Sequence, residues 1–216
     1  MLDAADLTLA RQRMVARQIE RRGVHDPAVL AAMREVPREA FVRQEFEEFA
    51  YEDSPLPIGE KQTISQPFVV ALMIEAAEVR PGDHALEVGA GSGYAAAVLS
   101  RIAAKVHAIE RHASLATEAS RRLGALGYDN VELRAGDGTK GWPEAAPFDA
   151  IIVSAGGSRV PEALKDQLAI GGRLIMPIGS PETGERLVKL TRQSETNYLK
   201  ENLGEVRFVP LIGAEG

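Results

Sequence analysis

The chain has 216 residues, 45% of them hydrophobic and 26% charged, which predicts one globular domain able to bury roughly 70% of the surface of its unfolded state. The formal net charge of −6 argues against a nucleic-acid partner, because phosphate binding requires a basic surface. The absence of cysteine excludes disulfides, thiolate catalysis and zinc sites with cysteine ligands.

The four histidines show no ligand spacing, so we expect no bound metal. No apolar run approaches the roughly 18 residues that a membrane span requires, and the amino-terminal residues lack the pattern of a signal peptide. We therefore expect a cytoplasmic protein with no membrane partner, and we expect it to be a monomer.

Three helical segments are predicted ahead of the sheet, over residues 7–22, 28–35 and 38–49. In the first, apolar residues recur at the helical period until Gly23 ends it. Asp26 and Pro27 form a cap and first-turn pair for the second. These helices are expected to cover a crevice of the sheet or to pack on its face.

Residues 53–63 are predicted to be irregular, because prolines and a glycine interrupt any helical period. A helix follows over residues 69–79. Pro67 favours the first helical position, which places an extended Gln66 at the cap and Ser65 one residue outside the helix. Taken alone, Ser65 fits a helix-start serine and a site residue equally well.

Residues 85–88 predict a buried strand that ends in a glycine turn and continues as a helix over residues 94–104. The turn carries Gly89, Gly91 and Gly93 in the pattern E-x-G-x-G-x-G, which begins at Glu87. A dinucleotide fingerprint would need a third glycine at position 94, which is Tyr94. The pattern resembles the first motif of the class I methyltransferases that use S-adenosylmethionine. The alternative is a glycine turn without a ligand.

Two acidic residues follow later strands of the predicted sheet. Glu110 ends a strand over residues 105–109, and Asp137 with Gly138 follows a strand over residues 131–134. Glu110 has the position from which an acid accepts from ribose hydroxyls, and Asp137 could accept from the exocyclic amine of adenine. Either acid alone is more often a solvated strand end, but the series after the glycine turn favours cofactor ligands.

The rest of the chain completes an α/β sheet. We predict a strand over residues 148–153, a loop over 154–158, a helix over 160–168 and a strand over 173–177. A polar turn over 181–184 leads to two further strands, over 186–192 and 205–211, separated by a polar stretch through Asn197 and Asn202. The loop at 154–158 lacks the Asn-Pro-Pro-Tyr signature of methyltransferases that act on base nitrogens.

These segments together resemble the protein-L-isoaspartate O-methyltransferase family over nearly the whole chain. The matching segments are residues 14–19, 36–42, 62–67, 137–138, 161–164 and 207–211, and the most specific is the Thr-Ile-Ser segment at Thr63–Ser65. Glu60 and Lys61 depart from the family, which is expected to have a small or aromatic residue beside the glycine.

The resemblance implies a Rossmann-like methyltransferase fold in one domain of residues 1–216. Its sheet would be mostly parallel, with a C-terminal antiparallel strand pair and helices on both faces. Residues 1–80 would hold the N-terminal helices and substrate segment, 81–180 the cofactor-binding core and 181–216 the C-terminal strands.

The resemblance also implies the reaction: methyl esterification of the free α-carboxylate of L-isoaspartyl residues in damaged proteins and peptides. The cofactor would be S-adenosylmethionine, the product S-adenosylhomocysteine, and no metal would take part. Ser65 would be the catalytic residue. The implied cofactor-binding residues are Ile64, Gln66, Glu87, Gly89, Gly91, Gly93, Glu110, Asp137 and Gly138. The implied substrate-binding residues are Thr63, Ile64, Ser65, Gln66, Val209, Leu211 and Ile212.

Three other readings compete with this one. A related carboxyl methyltransferase acting on a dedicated peptide would carry the same motifs together with a specificity extension. A non-catalytic S-adenosylmethionine-binding module would keep the glycines and lose the Thr-Ile-Ser segment, which is intact here. A nucleic-acid methyltransferase is disfavoured by the charge and by the missing base-nitrogen signature.

Overall fold

A computed structural model describes residues 4–180 and 184–215. Its helices are α1 (Ala4–Met14), α2 (Pro27–Glu35), α3 (Pro67–Ala76), α4 (Tyr94–Ser100), α5 (Ala113–Ala125) and α6 (Glu162–Asp166). Its strands are β1 (Leu56–Gly59), β2 (Gln62–Ile64), β3 (His84–Val88), β4 (Lys105–Glu110), β5 (Val131–Ala135), β6 (Phe148–Val153), β7 (Leu168–Ser180), β8 (Gly184–Arg192) and β9 (Tyr198–Val206).

The central sheet has seven strands in the order β5-β4-β3-β6-β7-β8-β9. Strands β3 to β7 pair in parallel, and β8 and β9 are antiparallel to their neighbours. The strand order reverses at β3, between β4 and β6, so a crevice opens at the carboxyl ends of these strands. The predicted Rossmann-like sheet is confirmed, and this crevice contains the glycine turn.

Two buried apolar clusters hold the layers together. The larger contains side chains of α1 to α5, and the smaller contains Leu164 of α6 with Trp142 and Phe148. No described helix is long and apolar enough to cross a membrane.

The amino-terminal helices depart from the prediction in their geometry. The segment predicted over residues 7–22 begins as α1 and continues as a π-helical turn, Val15–Ile19, and a 3₁₀ turn, Glu20–Arg22. It ends as predicted at Gly23, whose φ is 103°. The helix predicted over residues 38–49 is wrong: two 3₁₀ turns, Arg38–Phe41 and Gln44–Phe49, are separated by extended backbone.

The prediction of an irregular segment over residues 53–63 is also wrong. Strands β1 and β2 form an antiparallel hairpin whose turn residues, Glu60 and Lys61, have φ of 49° and 58°. Its apolar side chains, Leu56, Ile58 and Ile64, are buried against the rest of the protein. Tertiary packing therefore stabilises a hairpin too short to show a period in the sequence.

The carboxyl-terminal strands are longer than predicted. β7 covers residues 168–180 instead of 173–177, which shortens the helix predicted over 160–168 to α6. The last strand lies at residues 198–206 instead of 205–211, and Asn202 pairs with Val188 within it. Its polar sequence reflects an edge strand that is largely exposed. Helix α5 has no counterpart among the predicted elements, and residues 181–183 of the predicted turn lie outside the described residues.

Candidate active site

The glycine turn lies directly beyond β3, where the backbone N–H groups of Gly89 and Ala90 donate to the carbonyl of Ile109 at 2.8 and 3.1 Å. Gly91 has a φ of +53°, and a Cβ atom there would come within 3.0 Å of Ile58 Cδ1. A side chain at position 91 would therefore strain the backbone and push against hairpin β1–β2. The hairpin thus covers the glycine turn closely.

A cavity opens between this turn, the tips of β4 and β6 and the carboxyl-terminal segment. We refer to it as the cofactor cavity because its lining includes Gly89, Gly91 and Glu110, which are predicted to bind the cofactor. It contains eight of the predicted site residues. Its lining is Gln62, Thr63, Val88, Gly89, Gly91, Ile109, Glu110, Arg111, His112, Gly138, Ser154, Ala155, Val209, Pro210, Leu211 and Ile212.

Glu110 is held rigidly at the tip of β4. Its Oε2 accepts from the backbone N–H of Gly91 at 2.8 Å and its Oε1 from that of His112 at 2.9 Å. The side chain is buried, and it also lines the cofactor cavity. A carboxylate has about four acceptor positions, so hydroxyl groups in the cavity can still reach it.

Asp137 is engaged by its own loop and by the carboxyl-terminal segment. Its Oδ1 accepts from the N–H and the hydroxyl of Thr139, and its Oδ2 accepts from the N–H of Ala214 at 2.9 Å. Burial opposes ionisation, but these hydrogen bonds hold the pKa of Asp137 below its usual value. Asp137 does not line the cavity, so its contact with adenine stays a prediction.

Gly138, the next residue, does line the cofactor cavity. A Cβ atom there would lie 2.4 Å from Val88 Cγ1, so only glycine allows this loop to approach β3. Gly93, in contrast, lies outside the cavity lining and precedes α4 as its N-cap residue with a φ of 88°.

Glu87 lies beneath the glycine turn and is 1% exposed. Its Oε1 is 3.5 Å from the hydroxyl of Ser154, and its Oε2 has no hydrogen-bond partner among the described residues. Burial, together with the nearby Glu110, raises the pKa of Glu87 to about 8. The carboxyl is therefore mostly protonated at neutral pH.

This raised pKa predicts how stability depends on pH. Between pH 5 and 8 the folded state retains the Glu87 proton that the unfolded chain has lost, so stability falls as pH rises. We expect the free energy of unfolding of the ligand-free protein to lose about 1 kcal/mol per pH unit through this group. Urea unfolding of the wild type and Glu87→Gln across this range measures it. Identical slopes for both proteins would contradict the assignment.

A second cavity lies between the start of α3 and the end of β9. We call it the substrate groove because its lining includes Ser65 and Gln66, which are predicted to bind the substrate. Its volume is about 560 Å³. It is lined by Arg22, Pro55, Thr63, Ser65, Gln66, Phe68, Val69, Leu72, Ser154, Leu203, Glu205, Val206, Arg207, Phe208 and Val209.

Ser65 lies in this groove and outside the helix cap. Helix α3 begins at Pro67 with an extended Gln66 as its N-cap, as predicted, and the Gln66 side chain caps no N–H group. The N–H of Phe68 is bonded by Asp53 instead, at 3.0 Å. The hydroxyl of Ser65 is therefore available to a ligand in the groove.

The two cavities meet at Thr63, Ser154 and Val209, which line both. Ser154 was not among the predicted site residues, although it directly follows β6 at the carboxyl edge of the sheet, where ligands of such sheets bind. The structure therefore adds Ser154 to the candidate site.

Not all of the other predicted residues line a cavity, and Glu87 lines neither of them. Gln66 lies in the substrate groove and Leu211 and Ile212 in the cofactor cavity, whereas the side chain of Ile64 is buried and lines neither. Sequence analysis also missed the two groove arginines, Arg22 and Arg207.

The donor and acceptor set of the cofactor cavity fits an adenosyl ligand. The glycine turn exposes backbone, Glu110 offers acceptors for hydroxyl groups, and Val88, Ile109 and Leu211 supply apolar walls. Within residues 4–180 and 184–215, no group of three or more histidine or acidic residues could hold a metal ion.

Comparisons with known proteins agree with this geometry. The chain is 58% identical over 214 residues to protein-L-isoaspartate O-methyltransferase 1 of Rhodopseudomonas palustris (strain HaA2), covering 99% of this chain and 87% of that protein. It is 59% identical over 207 residues to the protein-L-isoaspartate O-methyltransferase of Methylorubrum populi, covering 96% and 97%.

Solved structures show the same relationship. One protein-L-isoaspartate O-methyltransferase superposes with a TM-score of 0.87 at 32% identity, covering 95% of this chain and 67% of that one. Another, from Plasmodium falciparum in complex with S-adenosyl-L-homocysteine, gives a TM-score of 0.81 at 27% identity, covering 94% and 98%. A family model described as protein-L-isoaspartate(D-aspartate) O-methyltransferase matches residues 9–216, and the chain therefore belongs to this family.

Proposed function

We propose that the cofactor cavity and the substrate groove form one active site. A methyl group passes from the cofactor in the first to the acceptor in the second, and Ser65 orients the acceptor. The protein is an S-adenosylmethionine-dependent enzyme that esterifies the free α-carboxylate of L-isoaspartyl residues in proteins and peptides, as its family membership and close relatives establish. The observation that carries the site assignment is the junction of the two cavities at Thr63, Ser154 and Val209.

The chemistry requires positioning and no general base. The acceptor carboxyl has an unperturbed pKa of roughly 3.5 to 4, so it is already an anionic nucleophile at neutral pH. S-adenosylmethionine supplies a methyl group on a cationic sulfonium. The protein contributes in-line orientation and exclusion of water. The hydroxyl of Ser65 would donate a hydrogen bond to the carboxylate and hold it facing the junction.

On the cofactor side, we assign the ribose hydroxyls to Glu110 and the adenine amine to Asp137. The fixed orientation of the Glu110 carboxylate supports the first assignment, since both of its oxygens are aligned by backbone N–H groups. Gly89 and Gly91 would admit the methionine portion along exposed backbone.

The enzyme must also distinguish isoaspartate from aspartate, which share atoms and charge and differ in the path of the main chain. The segment of residues 64–66, which joins β2 to α3, could recognise that path by strand addition, with residues 209–212 opposite. The carbonyl of Val209 and the N–H of Leu211 are already bonded to Gly156. We therefore assign substrate contacts of residues 209–212 to side chains.

A paired peptide assay tests the function. Two peptides that differ only in aspartyl or isoaspartyl linkage are incubated with radiolabelled S-adenosylmethionine, and methyl ester formation is measured. We expect transfer to the isoaspartyl peptide alone. Equal transfer to both peptides would contradict the proposal that the enzyme recognises the path of the substrate main chain. No transfer despite cofactor binding would favour the non-catalytic module or an enzyme for a dedicated peptide.

We further propose a cytoplasmic monomer that binds neither nucleic acid nor membrane. The exposed large hydrophobic side chains among the described residues are few and lie on separate elements of the chain, which supports this proposal: Leu9, Phe49, Leu126, Ile170, Leu199 and Ile212. Light scattering coupled to gel filtration measures the oligomeric state, and a dimer mass would contradict it.

A further inference from the structure

The start of α3 is capped from a distance. Asp53 lies 15 residues before Phe68, and its Oδ1 accepts from the backbone N–H of Phe68 at 3.0 Å. Its Oδ2 accepts from the side-chain amide of Gln66 at 2.6 Å. The same oxygen forms an ion pair with Arg22. One carboxylate therefore joins three groups around the first turn of the helix.

This arrangement differs from an ordinary cap. Helix α2 also begins with a proline, and Asp26 is its N-cap residue. The Oδ1 of Asp26 accepts from the backbone N–H groups of Ala28 and Val29 in the first turn of that helix. In α3 the N-cap residue is Gln66, whose side chain accepts from no N–H group of the helix. A helix start needs its free N–H groups satisfied, and the chain supplies the acceptor from another segment.

The loop that carries Asp53 is itself fixed from the interior. Arg38 is fully buried, and its Nε donates to the carbonyl of Ala50 at 2.8 Å while its Nη2 donates to that of Ser54 at 3.5 Å. Asp53 lies between these two anchored carbonyl groups. Its carboxylate is therefore a fixed reference point for the start of α3.

Two features of the substrate groove depend on the position of the Asp53 carboxylate. Gln66 follows Ser65 directly in the chain. Because Asp53 binds both the Gln66 side chain and the N–H of Phe68, it fixes the backbone next to Ser65. Arg22 also lines the groove, and its guanidinium lies 3.6 Å from the ring centroid of Phe68 while paired with Asp53. Asp53 does not line either cavity itself.

We propose that Asp53 is a positioning residue for methyl transfer. By capping α3 from a preceding loop of the same chain, it sets the position of Ser65 and the orientation of Arg22. The inference rests on the proposed role of Ser65. A misplacement of about 1 Å at a reacting group can cost on the order of 100-fold in rate, so loss of this cap should appear in turnover.

The test compares Asp53→Ala, Asp53→Asn and the control Asp26→Ala. We expect Asp53→Ala to lower kcat for an isoaspartyl peptide by roughly 10- to 100-fold while the Kd for S-adenosylmethionine changes less than about twofold. Asparagine also caps helices, so Asp53→Asn should recover part of kcat by keeping an acceptor for Phe68. Asp26→Ala loses a comparable cap and should lower Tm by about 2–4 °C without changing kcat.

A double mutant separates positioning from general destabilisation. Added to Ser65→Ala, Asp53→Ala should lower kcat much less than it does in the wild type, because the hydroxyl that it places is already gone. Equal effects in both backgrounds, an unchanged kcat in Asp53→Ala, or an Asp53→Asn variant no better than alanine would overturn the proposal. Wild-type turnover on the isoaspartyl peptide tests the proposed function independently of these variants.

Discussion

Replacement of Ser65 by alanine is expected to lower kcat for an isoaspartyl peptide by on the order of 100-fold, with the Kd for S-adenosylmethionine nearly unchanged. The hydroxyl lies in the substrate groove and outside the cofactor cavity, and it takes no part in capping α3. Its loss removes a donor to the acceptor carboxylate and leaves the cofactor contacts in place. Steady-state kinetics and calorimetry on the same preparation measure the two quantities.

Ser100 provides the matched control for this variant. Its hydroxyl donates to the carbonyl of Ala97 at 2.7 Å within α4, away from both cavities. Ser100→Ala should therefore affect stability and leave kcat unchanged. If Ser65→Ala lost cofactor affinity and turnover in equal proportion, Ser65 would have a structural role and the mechanism would be wrong.

The cofactor half of the site could be predicted because its signals are local in the chain. A buried strand followed by glycines at fixed spacing specifies the turn at Gly89 and Gly91, and an acid directly after a strand specifies Glu110. Parallel strands bring their carboxyl ends to one edge of the sheet, so residues that follow neighbouring strands in the sequence lie close together in the structure. The cavity contains these residues as expected.

The substrate half could be predicted only in part, because tertiary contacts build it. Hairpin β1–β2 is stabilised by packing of Ile58 over Gly91, which no sequence period reveals. The sequence correctly predicted an extended Gln66 before Pro67, since proline restricts its predecessor locally. It could not show that Asp53, far from that helix start in the chain, supplies the cap.

Glu110→Ala is expected to weaken S-adenosylmethionine binding by roughly 10- to 100-fold. Charge-assisted hydrogen bonds contribute about 1.5–3 kcal/mol, which corresponds to this loss of affinity. The structure gives a second reason for a large effect. The same carboxylate accepts from the N–H groups of Gly91 and His112, so its removal also releases the glycine turn that lines the cavity. Calorimetric titration with S-adenosylmethionine measures the change.

Glu75 supplies the control that separates ribose binding from backbone support. Its Oε1 also accepts from two backbone N–H groups, those of His25 and Asp26, at 2.5 and 2.7 Å, and it lines neither cavity. Glu75→Ala should lower Tm and leave cofactor affinity unchanged. If Glu110→Ala lowered Tm as much as Glu75→Ala but retained wild-type affinity, the carboxylate would only support the turn. The ribose hydroxyls would then have to be bound by another group in the cavity.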